Sequence, residues 1–142
     1  MQLEYQSQIQ KVISTLKQDL PKLFEQDICY EIYTQDIYFQ DPINKYTGKF
    51  QYRIVYWTLR FHAKAFFTKI NFNLHDVYQS TEDMIVAKWT VRGNLRLPWK
   101  AEMLFDGYSN YKLTPEGLIF EHIDTWESKP TEILRQFLPK NS

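Results

Sequence analysis

Residues 84–126 read MIVAKWTVRGNLRLPWKAEMLFDGYSNYKLTPEGLIFEHIDTW, and this stretch decides the fold class. Apolar side chains recur in it at every second position, which is the period of a β-strand. They are Ile85, Ala87, Trp89, Val91, Ala101, Met103 and Phe105. Residues 114–117, TPEG, have the chemistry of a turn, because proline fixes φ and glycine accepts a positive φ. The stretch therefore predicts consecutive antiparallel strands joined by turns.

The residues upstream favour helices. Apolar residues spaced three and four apart indicate a first amphipathic helix: Tyr5, Ile9, Val12, Ile13, Leu16 and Leu20. Pro21 then begins a short second helix or a kink. Residues 37–39 predict a brief strand that ends at Asp41-Pro42, since proline removes a donor from the ladder. A long helix follows over residues 49–67, with its apolar stripe formed by Phe50, Ile54, Trp57, Phe61 and Ala65. We expect a helix this apolar to be covered on most sides.

The order of these elements predicts an α+β domain in which helices pack on one face of a curved antiparallel sheet. A doubly wound α/β fold is disfavoured, because there the strands would alternate with helices throughout the chain. At 142 residues the chain is long enough for one core that needs no metal or disulfide. We predict a single domain over residues 1–142.

The composition limits the partners to expect. Basic and acidic side chains number 17 each, which argues against a nucleic-acid binder and against a polybasic membrane-surface protein. No apolar run approaches the roughly 20 residues that cross a bilayer. The first residues lack the pattern of a targeting peptide. We expect a cytoplasmic protein, or a stromal one in a plastid-bearing source, with a single buried and inert cysteine, Cys29.

Three motifs resemble those of the nuclear-transport-factor-2-like, or SnoaL-like, superfamily. They are residues 37–42, IYFQDP, followed by Gly48; residues 89–93, WTVRG; and residues 117–126, GLIFEHIDTW. More narrowly, the sequence resembles a family of uncharacterised proteins found mainly in oxygenic phototrophs. The resemblance implies a cone-shaped domain whose bent sheet packs against N-terminal helices and is closed by the long helix, with a pocket at the wide end. The superfamily includes steroid isomerases, epoxide hydrolases, small-molecule binders and association subunits, so the fold alone selects no function.

Asp41 is the first candidate for a catalytic role. In the steroid-isomerase relatives the general base occupies the matching position before a proline, and here the context is Gln40-Asp41-Pro42. Desolvation at a pocket would raise the pKa of this carboxyl toward a range useful for proton transfer. The alternative is that Asp41 starts a turn by accepting backbone hydrogen bonds. The oxyanion-binding tyrosine of the isomerases has no counterpart in the first helix, so steroid-type isomerisation is not expected.

His122 and Asp124 are the second candidates, because a spacing of two places them on the same face of a strand. The same face is predicted to carry Leu118, Phe120 and Trp126. Asp124 resembles the catalytic carboxylate of the epoxide-hydrolase relatives. The Arg-x-Asp pair that accompanies it there is replaced by residues 92–94, RGN, so the water-activating arrangement is incomplete. The alternative is a structural hydrogen bond from His122 to Asp124 or to backbone.

No metal and no cofactor is predicted. The three histidines, His62, His75 and His122, match no ligand spacing, and one cysteine cannot form a thiolate site. With only four glycines, the chain offers no glycine-rich loop for a phosphate group.

Aromatic residues are the strongest compositional signal, at 17% of the chain. Most aromatic side chains fill cores, but a subset would suit a pocket for a flat, apolar or conjugated ligand. The candidates for ligand binding are Tyr56, Trp57, Trp89, Phe105 and Trp126. Residues 95–99, LRLPW, are instead a candidate lid or dimer element that would act through Trp99.

These patterns favour a domain that binds a small, largely apolar or aromatic ligand, with Asp41, His122 and Asp124 supplying polarity. Two alternatives remain open. One is an isomerase-like or hydrolase-like enzyme in which one of these carboxylates is the general base. The other is a homodimeric scaffold for protein association. The sequence identifies neither a ligand nor a reaction.

Overall fold

Three helices and six strands make up the computed structural model, which describes residues 2–139. The helices are α1 (Gln2–Asp19), α2 (Lys49–Phe66) and α3 (Pro130–Arg135). The strands are β1 (Tyr33–Gln40), β2 (Lys45–Thr47), β3 (Phe67–Thr81), β4 (Met84–Leu95), β5 (Glu102–Leu113) and β6 (Ile119–Trp126). A short 3-10 helix, Leu20–Lys22, continues α1 with Pro21 in its first turn. The predicted helices and strands are therefore confirmed in order, and the short strand β2 is an addition that the sequence patterns did not predict.

All six strands belong to one curved, open sheet with the strand order β2-β1-β6-β5-β4-β3. Neighbouring strands are antiparallel, except for β1 and β6, which run parallel. Strands β3, β4, β5 and β6 follow one another as antiparallel hairpins, and the alternation in residues 84–126 predicts the last three. The α+β class is confirmed.

The core is formed by α1, the inner face of α2 and the inner face of the sheet. The α1 side chains Ile9, Val12 and Leu16 are fully buried, as the helical spacing predicts. Alternate residues of β4 and β5 face the same interior, and the register pairs Ile85 with Tyr111. The inward side chains of the strands, which recur every two residues, thus pack against the inward side chains of α1, which recur every 3.6 residues.

The prediction that α2 is covered on most sides is wrong. The helix buries Tyr52, Tyr56 and Ala63 against the interior. Its predicted stripe is exposed along its whole length: Phe50, Ile54, Trp57, Phe61 and Ala65. Both faces of α2 are apolar, and periodicity alone does not tell which face meets the sheet. Because the described residues place nothing outside α2, the second apolar face remains open to solvent.

Three local predictions also differ from the structure. Strand β1 begins at Tyr33 and is not brief. In β6 the register shifts, so that Lys112 pairs with Glu121 while Leu113 pairs with Ile119. This irregularity buries Ile119 and turns Phe120 outward, so Phe120 does not share the face of His122. Cys29 is half-buried rather than buried, and its backbone N–H donates to Asp19 Oδ2 at 2.9 Å.

The two long helices have 18 residues each. Within residues 2–139, no helix combines the length and the apolar character that crossing a membrane requires.

Candidate functional site

A cavity of about 550 Å³ lies between α2, the C-terminal segment and the inner face of the sheet. Its wall is mainly apolar and aromatic, with contributions from every strand and from α2 and α3. The mouth is bordered by exposed apolar side chains, which include Ile43, Phe66 and Leu134. Both volume and lining fall within the range of pockets that hold small molecules.

A chain of hydrogen bonds connects the polar groups on the floor of the cavity. Trp89 Nε1 donates to Ser109 Oγ at 3.0 Å, and Ser109 Oγ donates to Asp124 Oδ1 at 2.5 Å. His122 Nε2 lies 2.6 Å from the same carboxylate oxygen. On its other side, His122 Nδ1 lies 2.7 Å from the hydroxyl of Tyr52. Strand pairing explains the arrangement, because Ser109 stands directly opposite Asp124.

This geometry fixes the roles of the groups around His122. A carboxylate oxygen accepts hydrogen bonds, so His122 Nε2 carries a proton that points to Asp124. The opposite nitrogen, Nδ1, then accepts from Tyr52. Asp124 Oδ2 makes no hydrogen bond within residues 2–139, and the side chain is 19% exposed. The floor therefore presents one carboxylate oxygen that is free to accept a hydrogen bond from a ligand.

Three tyrosines surround this pair. Burial raises the pKa of Tyr52, Tyr56 and Tyr111 well above the usual value, so all three keep their hydroxyl protons. The ring of Tyr111 lies 4.5 Å from that of His122. The buried hydroxyl of Tyr111 has no hydrogen-bond partner within the described residues. A buried hydroxyl without a partner is costly to the stability of the fold.

Asp41 lies at the edge of the cavity and also forms a turn. Its Oδ1 accepts from the backbone N–H of Ile43 at 2.9 Å and of Asn44 at 2.7 Å. This is the geometry of the turn that was predicted as the alternative role of Asp41. Burial raises the pKa of the Asp41 carboxyl, and the negative charge of Asp124 raises it further, while these two hydrogen bonds oppose the shift.

Four of the five aromatic candidates line the cavity: Tyr56, Trp89, Phe105 and Trp126. The rings of Trp89, Phe105 and Trp126 form a continuous wall, with ring centres 5.9 Å apart from Trp89 to Phe105 and 5.4 Å apart from Phe105 to Trp126. Trp57 is different, because it lies on the outer face of α2 and does not contact the cavity. The structure thus brings together Asp41, His122, Asp124 and four aromatic residues, and it separates Trp57 from them.

Sequence reasoning missed two polar residues of the floor, Ser109 and Tyr111, and Tyr52, which lies buried behind His122. Ser109 and Tyr111 lie on the same face of β5 as Phe105, because they follow it at even spacings along the strand. Tyr52 precedes Tyr56 by one helical turn, a spacing that places both on the same face.

The other histidines lie apart from the floor. His62 is at the cavity mouth, and His75 bonds Thr90 Oγ1 at 2.7 Å on the outer face of the sheet. Among residues 2–139, no three acidic, histidine or cysteine side chains are grouped as a metal site would require. Trp99 bonds the carbonyl oxygen of Phe137 at 3.0 Å, so the loop between β4 and β5 packs against the C-terminal segment.

The profile of one protein family matches residues 10–122, which is more than half of the chain. That family is described as "Uncharacterized conserved protein (DUF2358)". The chain belongs to this family. The DUF2358 match includes Tyr52 and most of the polar floor, with Ser109 and His122, and it ends just before Asp124. No curated protein matches the sequence.

Solved structures resemble this member of DUF2358 along most of their length. SalBIII, an epoxide hydrolase/cyclase-like enzyme of pyran ring formation in the polyether salinomycin, has a TM-score of 0.62 at 14% identity, covering 84% of this chain and 93% of its own. An NTF2-like protein of unknown function from Cytophaga hutchinsonii has a TM-score of 0.65 at 13% identity, with 83% and 98% covered. A phenazine biosynthesis-related protein from Pseudomonas aeruginosa has a TM-score of 0.63 at 10% identity, with 100% and 96% covered.

At such low identity these likenesses show the fold alone. They confirm the nuclear-transport-factor-2-like fold that the sequence motifs predict. A fold of this kind supports many functions, so the function of the DUF2358 chain has to be argued from the cavity itself.

Proposed function

We propose that the cavity binds a small, largely apolar molecule that carries a hydroxyl or another hydrogen-bond donor. The observation that carries this proposal is the contrast between the apolar wall and the single polar floor. Apolar burial would supply most of the affinity, and the floor would fix the orientation of the ligand. Asp124 is partly exposed and lines the cavity, so its Oδ2, which has no hydrogen bond within residues 2–139, is suited to accept from the ligand.

Titration with N-phenyl-1-naphthylamine, an uncharged apolar dye that fluoresces in apolar surroundings, tests the proposal. Ala63 is buried on the inner face of α2 and lines the cavity. The variant Ala63→Phe places a ring in that space and is expected to weaken dye binding at least about tenfold, because the apolar volume is filled. The matched control is Ala65→Phe, which makes the same change on the exposed face of the same helix.

The two variants separate the cavity from the exposed surface of α2. Binding that is lost in Ala63→Phe and kept in Ala65→Phe supports the cavity as the site. Binding that survives Ala63→Phe unchanged, while the variant remains folded by circular dichroism, contradicts the proposal.

A second candidate function is catalysis with Asp124 as the general base. It is favoured by one observation: Asp124 accepts hydrogen bonds on Oδ1 from His122 and Ser109, has none on Oδ2 within residues 2–139, and lines an apolar cavity. The related fold of SalBIII, described as epoxide hydrolase/cyclase-like, suggests an epoxide as the first probe. We expect hydrolysis of styrene oxide to fall by roughly 10²–10⁴-fold in Asp124→Asn, with dye binding retained. Equal hydrolysis by the variant would exclude Asp124 as the base.

A further inference from the structure

The sequence from Asp41 to Asp76 contains basic residues and no acidic residue between its ends. The basic residues are Lys45, Lys49, Arg53, Arg60, Lys64 and Lys69. The formal net charge of the chain is zero, so the acidic residues that balance them lie elsewhere in the sequence. The chain has no net charge overall, but the segment between Asp41 and Asp76 is basic, and this segment contains α2.

The same helix exposes a row of large apolar side chains, here called the aromatic stripe. Its members are Phe50, Ile54, Trp57 and Phe61, with exposed fractions of 73%, 42%, 58% and 50%. The rings of Trp57 and Phe61 stack with centres 5.5 Å apart and planes within 12° of parallel. Single exposed apolar residues are common on protein surfaces, but a contiguous row of this kind marks a contact surface.

A basic row runs beside the aromatic stripe on α2. It consists of Lys49, Arg53, Arg60 and Lys64, whose spacings of three to four residues or their multiples place them on one side of the helix. Two of these side chains are held in place. Arg53 lies over the ring of Tyr30 at 4.4 Å, and Arg60 pairs with Asp27 at 3.0 Å. Lys64 extends into solvent.

We propose that the outer face of α2 binds the surface of a bilayer that contains anionic lipids. Tryptophan and phenylalanine side chains partition to the boundary between headgroups and acyl chains, and the aromatic stripe presents them in one line. Lys49, Arg53 and Lys64 of the basic row lie where they would contact lipid phosphates, whereas Arg60 is already paired with Asp27. The helix lies in the plane of the surface and does not cross the bilayer, which agrees with its length and composition.

The charge of the helix argues against a second copy of the chain as the occupant. A symmetric dimer through the aromatic stripe would bring the same patch of each copy together. In an antiparallel pair, Lys49, Arg53 and Lys64 of one copy would lie beside the same residues of the other, with no acidic residue on α2 to pair with them.

The aromatic stripe continues to the mouth of the cavity. The ring of His62 lies 5.8 Å from that of Phe61 and 5.5 Å from that of Phe66. Both His62 and Phe66 line the cavity. A bilayer bound to α2 would therefore lie close to the cavity mouth, where an apolar molecule could enter from the lipid.

Flotation with vesicles tests this proposal. Vesicles of phosphatidylcholine with about 30% phosphatidylglycerol should carry the protein, and vesicles of phosphatidylcholine alone should carry at least about fivefold less. About 0.5 M salt should reduce the binding, because it screens the charges. Trp57→Ser combined with Phe61→Ser should weaken binding at least about tenfold, and so should Lys49→Glu combined with Lys64→Glu. All four positions lie on α2.

Matched control variants make the same kinds of substitution at exposed positions outside α2. Phe120→Ser removes an exposed ring from β6, and Lys11→Glu reverses an exposed charge on α1. Both should float like the wild type. Absence of binding to anionic vesicles, or equal losses in the controls, overturns the proposal. A dimer mass in solution that the Trp57 and Phe61 substitutions convert to a monomer would also overturn it, by assigning the stripe to a second copy.

The vesicle test does not depend on the function proposed for the cavity. Ala63→Phe, which fills the cavity, should float with anionic vesicles as the wild type does. Loss of dye binding and loss of flotation therefore report on two separate properties of α2.

Discussion

The hydroxyl of Tyr52 holds the polar floor of the cavity together. It lies 2.7 Å from His122 Nδ1 and 3.2 Å from the hydroxyl of Tyr56, and all of these groups are buried. Without this hydroxyl, His122 Nδ1 would have no partner in an apolar interior. Unpaired buried polar groups cost more than the hydrogen bond itself contributes, so Tyr52 supports the orientation of His122 toward Asp124.

The variant Tyr52→Phe is therefore expected to destabilise the protein by about 1–3 kcal/mol. Urea denaturation measures the loss. The control is Tyr38→Phe, because the hydroxyl of Tyr38 bonds Gln40 Oε1 in a half-buried position where water can replace it. An equal loss in both variants would show that the Tyr52 hydroxyl has no special role in the floor.

Asp41 should impose a pH dependence on stability. Its pKa is raised by burial, and Asp124 adds to the shift. A raised pKa means that the folded state prefers the protonated form, so the stability from this group is present below about pH 3.9 and is lost as the pH rises through the folded-state pKa. The variant Asp41→Asn has no ionisable group at this position, so it does not lose this stability as the pH rises. Its amide oxygen can still accept the hydrogen bonds of the turn.

Thermal unfolding measures the effect of Asp41→Asn. The melting temperature of the variant relative to the wild type should rise from about pH 4 to about pH 7. Asp41→Ala should instead lower stability at both values by about 1 kcal/mol, because the N–H groups of Ile43 and Asn44 lose their acceptor. A pH-independent difference for Asp41→Asn would refute the assignment of a raised pKa.

The limits of sequence reasoning at this scale follow from the distances along the chain. His122 and Asp124 could be assigned to one face because a strand repeats every two residues. The partner of His122 is Tyr52, which is 70 residues away, and no periodicity connects the two. Asp41 could be assigned both a turn and a place near a pocket, because the turn depends only on the residues that follow it.

At the scale of elements, α2 shows what a hydrophobic pattern can and cannot decide. The pattern predicted a helix over residues 49–67, and the helix is Lys49–Phe66. It did not identify the inner face, because the tyrosines that meet the sheet are less apolar than the stripe that faces solvent. Strand β6 shows the same limit, since its register shift with β5 places Phe120 outside. Such shifts depend on the pairing of two strands.

The packing of β5 against its neighbours gives a prediction at this scale. A Cβ atom at Gly107 would overlap the ring of Trp89 and lie 2.7 Å from the carbonyl oxygen of Thr125. Gly107→Ala should therefore cost about 1–3 kcal/mol and shift the ring of Trp89, which lines the cavity. Chemical denaturation and tryptophan fluorescence measure the two effects. Asn110→Ala, on the outward side of the same strand, should change stability by less than about 0.5 kcal/mol; comparable costs would contradict the close packing.

At the scale of the whole molecule, the order of helices and strands was enough to predict the class of the fold. The parallel pairing of β1 with β6 was not predictable, because these strands are separated by most of the chain. The cavity was expected from the family resemblance, but its wall could not be assigned. Whether an aromatic residue such as Trp89 fills a core or lines a cavity depends on the curvature of the sheet and on side chains from every element.

The most direct test of the central claim is native mass spectrometry of the chain purified without denaturation from its own source. The account predicts that the wild type and Ala65→Phe carry the same reproducible noncovalent small molecule, and that Ala63→Phe, purified in the same way, lacks it. Denatured spectra of the same samples give the mass of the chain alone. A wild type without any bound small molecule, or an Ala63→Phe variant that carries as much of it as the wild type, would contradict the assignment of the cavity as a ligand site.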